Sequence, residues 1–201
     1  MGWGDTVQQT MNALHPDAIA RVSTVTLTGG VGAYINTLRR VRGDSENGLV
    51  DAILPTPIVA SSEELAAALR AESAVQSVLD ISRSANHAVV GIGAVVGQVT
   101  LAQVGYASQE ELDAGAAAGA VGDILGVFYD SHGQVVDLPL HRRRIGIELD
   151  DLRAIPNVVG VAGGMSKFDA ILGALRGGLL DVLVTTENVA RALLEVDGGA
   201  S

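Results

Sequence analysis

The chain has 201 residues, enough for about one domain, and 48% of them are hydrophobic against 18% charged, so a sizeable core can be buried. A formal net charge of −10 excludes a nucleic-acid surface built on phosphate contacts, and the short basic run "HRRR" at 141–144 does not change that. The absence of cysteine excludes disulfides and thiolate metal sites, and no long unbroken apolar run or leader pattern is found, so the expected location is the cytoplasm with no membrane contact.

The opening "MGWGDTVQQTMNAL" reads as a loop through Gly2, Gly4 and Asp5 that enters a helix at Thr6. In an α/β fold such a loop follows a strand, so the chain begins in the middle of a β-loop-α unit. "RVSTVTLT" (21–28) is a β-branched strand running into "GGVG", with a helix in "AYINTLRRV" after it. Residues 61–84 give one or two helices, with Ser61 and Glu64 at capping-box spacing. "HAVVGIGAV" (87–95) is a buried-type strand ending in glycines. Residues 108–119 form a helix boxed by Ser108 and Glu111.

The stretch 123–140 reads as a hairpin turning at Ser131–Gly133. A short helix in "ELDDLRAI" follows. The end of the chain alternates: strand "NVVGVAGG", helix "SKFDAILGALRGG", strand "DVLVTT", helix "TENVARALLEV". Short apolar strands separated by helices predict an α/β fold with a mostly parallel sheet and helices on both faces. One domain is expected over residues 1–196, with a disordered tail at 197–201.

Four glycine-rich segments fall at strand ends: 2–6, 28–32, 91–95 and 162–167. Glycine lets an anion approach the backbone, and the free N–H groups of a following helix attract it. None matches a P-loop or a dinucleotide fingerprint. Together they point to a ligand at the carboxyl edge of the sheet. Lys167, the single lysine beside twelve arginines, stands at the start of a helix, where a cation opposes the helix dipole unless an anion offsets it. A solvated lysine and a Schiff-base lysine are the alternatives there. Asp123, between glycines, is placed to accept hydrogen bonds from sugar hydroxyls or simply to serve a turn. The four histidines show no metal spacing, Trp3 reads as a packing residue, and Arg142, Arg143 and Arg144 read as a solvated or interface face. No catalytic constellation, cofactor motif or metal site stands out.

The ordered set "GWGDT", "TGG", "GIG", "GAVGDILGVFYDSHGQVV", "RRIGIELDDLRAIPNVVGVAGGMSKFDAILGALRGG" and "VLVTTENVARALL" resembles the C-terminal sugar-binding (effector) domain of SorC/DeoR-type bacterial transcriptional regulators. The resemblance spans nearly the whole chain and is most specific from 119 to 195. It implies a Rossmann-like fold of the phosphosugar isomerase, deaminase and CoA transferase kind. It implies a phosphorylated sugar as effector and a homo-oligomer, dimer or tetramer, that responds to it. Position by position, its first phosphate loop falls on Gly4, Asp5 and Thr6, and its second glycine loop on Thr28, Gly29 and Gly30. Its acidic position is Asp123 and its lysine is Lys167.

The family's helix-turn-helix, and the helix and strand that precede "GWG", have no counterpart in this chain, so DNA contact is expected only through a module it lacks. Thr28 replaces a basic residue found in some members, and Thr185–Thr186–Glu187 replaces their Thr-Asp-Glu. A phosphosugar isomerase, deaminase or aldolase-like enzyme on the same fold is the second reading. A remnant that binds nothing and only oligomerises is the third.

Overall fold

The computed structural model describes residues 1–15, 22–30, 52–95, 100–103 and 105–198. The helix read in "AYINTLRRV" lies outside the described residues, as do 199–201. In chain order the elements are α1 (Asp5–Ala13), α2 (Glu63–Ala71), α3 (Ser73–Arg83), β1 (Ala88–Gly91), β2 (Gly93–Ala94), α4 (Thr100–Gln103) and α5 (Gln109–Ala117). Then come β3 (Gly122–Ile124), β4 (Val127–Tyr129), α6 (Pro139–Arg143), α7 (Leu149–Arg153) and β5 (Val158–Val161). A 3-10 turn (Met165–Lys167), α8 (Phe168–Arg176), β6 (Val182–Val184) and α9 (Glu187–Gly198) complete the order.

Three β-branched strands pair in parallel in the order β1-β5-β6, with Val89 beside Val159 and Val159 beside Val182. Side chains alternate across this sheet. Ala88, Val90 and Val158 enter the main core, which Val75 and Leu79 of α3 and Ile171 and Ala174 of α8 fill from one side. Val89, Val159 and Val161 face the other way and meet Val7 and Met11, one turn apart on α1. Both faces are therefore covered, as the sequence pattern requires. Each fully buried aliphatic side chain contributes about 1.5–3 kcal/mol to this packing.

The sheet continues past β1 through backbone hydrogen bonds rather than a long strand. Gly2 donates to the Val89 carbonyl (2.7 Å), and Leu27 donates to Met1 (3.0 Å). Met1 and Gly2 thus occupy a strand position between β1 and the segment around Val25–Leu27, which in turn bridges to Ala52. The expected strand at 21–28 is reduced to these isolated bridges within its described part.

A second, antiparallel sheet runs β2-β3-β4. Its hairpin turns at Leu125–Gly126, both with positive φ (57° and 78°). The predicted reversal at Ser131–Gly133 is present too, closed by Gly133 donating to Asp130 (2.9 Å) and by a Tyr129–Val135 bridge. The tighter turn escapes a sequence reading because Leu is a poor residue for the left-handed region, at a cost of roughly 1 kcal/mol or more.

Two further readings are corrected. The cap of α2 is Ser62, whose hydroxyl accepts from the Leu65 N–H (3.2 Å), so Ser61 and Glu64 form no box. Arg144 is not on a solvated face: it is 1% exposed. The run 143–147 is extended between residues 58–60 and 27–29, bonded on both flanks, and this carries the side chain inside. Its Nη2 donates to the Ile147 carbonyl (2.9 Å) and pairs with Glu148 (2.7 Å). Arg142 remains exposed, 3.7 Å from Glu63, and Arg143 pairs with Glu111.

The Ser108–Glu111 box forms as read. Among the described residues no helix is long and apolar enough to cross a membrane. Ser62→Ala and Ser108→Ala should each lower unfolding free energy in urea by about 1 kcal/mol, while Ser61→Ala should change it by less than about 0.3 kcal/mol. A Ser61 variant as damaging as Ser62→Ala would contradict the cap assignment.

Candidate functional site

β1 and β5 run in the same direction, so the loops after them open at one edge of the sheet. The start of α1 joins them there through the Gly2–Val89 bond. The resulting cleft encloses about 270 Å³. Three of the four glycine-rich segments contribute to it: Gly4, Asp5 and Thr6 from the first, Gly91 to Ala94 from the third, and Ser166 and Lys167 from the fourth.

α1 begins at Gly4, whose φ of 116° only glycine adopts readily, and no side chain caps it. The first-turn N–H groups of a helix have no partner within the helix, and the dipole makes them weakly positive. Here they open on the cleft.

Lys167 closes the 3-10 turn that precedes α8. Its ammonium donates to the carbonyl of Ile92, in the β1–β2 connection, at 2.8 Å. One side chain therefore ties the loop after β5 to the loop after β1 and holds a positive charge at the cleft wall.

Asp123 projects from β3, paired across to Gly93 of β2. It is 7% exposed, and its Oδ2 accepts one hydrogen bond from the Gly126 N–H (3.1 Å). Its Oδ1 occupies the space a side chain at 93 would need, so a Cβ there would clash with it. Burial pushes the Asp123 carboxyl up to about 6, against the Gly126 hydrogen bond and the Lys167 charge, which pull it down. The neighbouring Tyr129 phenol donates to the Ala170 carbonyl (2.9 Å), and burial and then the Asp123 charge raise its pKa well above the ordinary value.

Of the residues read from sequence, Gly4, Asp5, Thr6, Asp123 and Lys167 share this cleft. Thr28, Gly29 and Gly30 do not line it. Gly29 donates to Ile145 (3.0 Å) and Gly30 to Thr56 (2.6 Å), so their N–H groups are already committed to the chain's own backbone. A side chain at position 30 would meet the Tyr106 hydroxyl, and the Tyr106 ring meets the cleft-lining Trp3 edge-on at 5.6 Å.

Trp3 does pack, as read, and it also lines the cleft. Leu101, Leu125 and Ser166 are further lining residues that sequence reasoning did not single out. Ser166 lies within the glycine-rich segment 162–167, whereas Leu101 and Leu125 carry no sequence signal beyond hydrophobicity. His141, half-buried in α6, accepts the Phe128 N–H on Nε2 (3.0 Å) and stacks on that ring, a structural role. Burial, then the Arg144 charge, lower its pKa to about 4.

The raised carboxyl of Asp123 has a stability consequence. Its folded pKa lies above its unfolded value of 3.8, so the ionised form costs stability above about pH 6, and that cost fades as pH falls toward 4. Asp123→Asn should be more stable than the parent at pH 7.5, by up to about 3 kcal/mol in urea unfolding, with the difference vanishing near pH 4. A gap that does not change with pH would rule out the buried ionised carboxylate.

Comparison with known proteins follows the same outline. A family model described as "Putative sugar-binding domain" matches residues 1–195. The transcriptional regulator LsrR of Enterobacter sp. (strain 638) is 40% identical over 98% of this chain, and this chain spans 61% of that regulator's length. LsrR of Klebsiella pneumoniae is 43% identical over 87% of this chain and 54% of the regulator. Among solved structures, a DeoR family transcriptional regulator from Listeria monocytogenes superposes with a TM-score of 0.83 at 25% identity, over 96% of this chain and 77% of that one. The full-length sorbitol operon regulator SorC from Klebsiella pneumoniae gives 0.82 at 26% identity, over 96% of this chain and 64% of that one.

Proposed function

This chain belongs to the sugar-binding domain family of SorC/DeoR-type transcriptional regulators, and from that premise we propose that its cleft takes a phosphorylated sugar whose binding sets the state of an oligomer. The observation that carries the reading is the meeting of the uncapped start of α1 with Lys167 on one cleft. Backbone N–H groups of Asp5 and Thr6, freed by Gly4, hold the phosphate. Lys167 adds a charge-assisted hydrogen bond while keeping Ile92 as a second acceptor. Asp123 meets the hydroxyls. Thr28, Gly29 and Gly30 flank the site through Tyr106 and Trp3 rather than grip the ligand.

The binding energy orders loops and shifts a population of oligomers, dimer or tetramer. DNA contact belongs to a basic module other than this acidic chain.

A catalytic reading has one observation in its favour, a buried carboxyl pushed to about 6 in the same cleft as an amine. Borohydride reduction in the presence of an open-chain sugar phosphate separates the two: the effector reading expects binding without a stable adduct at Lys167 and without product.

The effector reading is tested by thermal shift and calorimetry with a panel of pentose and hexose phosphates. At least one member should raise the melting temperature, its unphosphorylated sugar should not, and Lys167→Met should weaken it by roughly 10–100-fold. A folded chain that answers to none of the panel, or a Lys167→Met variant that binds as well as the parent, would refute it.

A further inference from the structure

The cleft sets a fixed acid against its own ligand. Asp123 is buried with a single hydrogen bond to its carboxylate. The groups that face it can be named element by element. The 3-10 turn brings Lys167, β4 brings the Tyr129 phenol, and α1 brings Asp5 to the same cleft. From β2 the backbone of Gly93 lies against the carboxylate, and from the hairpin turn the Gly126 N–H donates to it.

Among the described residues, one cation and two carboxylates thus line the space. A dianion placed at the start of α1 adds two further negative charges in the cleft that this largely buried carboxylate also lines, where solvent screens it weakly. Like charges at short range inside a protein repel strongly, and a buried acid escapes that repulsion by taking up a proton. The protonated form also supplies a donor, where the ionised form would only repel.

We infer that an anionic ligand enters this cleft together with a proton that settles on Asp123, so the domain responds jointly to its effector and to acidity. This inference rests on the cleft being an anion site, as proposed above, and adds the proton to it. The step is a balanced one: the proton comes from solvent or buffer, attaches to the Asp123 carboxylate, and leaves when the anion leaves. In the free protein the carboxyl titrates at about 6, so near neutrality it is mostly ionised and able to accept that proton. Affinity should rise as pH falls from 8 toward 6 and level off below, where Asp123 is already protonated in both states.

The experiment uses inorganic sulfate as the probe, because it stays dianionic over this range and cannot itself take up the proton. Calorimetric titrations at pH 6.5 in two buffers of different ionisation enthalpy give the number of protons absorbed. The parent should absorb about half a proton or more per sulfate bound, and its affinity should fall about tenfold between pH 6 and pH 8. Asp123→Asn should absorb none and show a flat pH profile, its fold checked by a thermal melt.

Sulfate binding by the parent without proton uptake overturns this inference and leaves the anion site standing. Equal uptake by parent and Asp123→Asn assigns the proton to another group and also overturns it. Failure of the parent to bind sulfate or any sugar phosphate at any pH overturns the site itself, and the inference with it. The buffer comparison on the parent alone decides the question if the variant does not fold.

Discussion

The parallel register between β1 and β5 governs what the rest of the molecule can do. Pairing Val89 with Val159 and Gly91 with Val161 ends both strands at the same level, so the loops after them open side by side. The Gly2–Val89 hydrogen bond brings a third loop, and with it the start of α1, to that level. None of the three segments makes a ligand site by itself. A one-residue slip would turn Val89, Val159 and Val161 away from α1 and into the opposite layer. The apolar alternation that stabilises the sheet is therefore also what assembles the cleft.

The cleft's electrostatics come from how the second sheet is attached to the first. Gly91, Ile92 and Gly93 carry the chain from β1 directly into β2, and β2 pairs with β3, which carries Asp123. A largely buried carboxylate is thereby held against backbone, and an ammonium is held over the carbonyl of the residue between the two strands. Burial outweighs both the hydrogen bond and the cation in setting that carboxyl. The site tolerates this unfavourable ionisation, and such tolerated costs concentrate where ligands bind.

Much of this was legible in the sequence, and the reasons are physical. The strands β1 and β5 and the helices α5 and α8 announce themselves by β-branched runs, by a capping box and by glycine stops, all local signals. The four glycine segments were recognisable as a class, because free N–H groups at strand ends are a local property as well. The second of them lies off this cleft, and local sequence cannot say whether an N–H group is already spent. Gly29 and Gly30 give theirs to Ile145 and Thr56, which lie far along the chain. The burial of Arg144 was hidden for the same reason, since its place is fixed by pairing with residues near 27 and 58. Leu125 defied its own turn preference, and only the pairing of β3 with β4 forces it into the left-handed region.

The hydrogen bond from Lys167 to Ile92 explains why a chain with twelve arginines keeps one lysine. An ammonium is a compact point charge with three donors arranged around a tetrahedral nitrogen. One donor can stay on a backbone carbonyl while the others turn to a guest, and the charge moves little between the two situations. A guanidinium is a flat fork that engages its partners edge-on and in pairs. At this wall it would satisfy either the carbonyl or the ligand in its preferred plane, and it would occupy volume the ligand needs. With lysine, the strut between two loops and the contact to the proposed guest would be the same atom, so that a guest in the cleft would tighten a joint the protein already has.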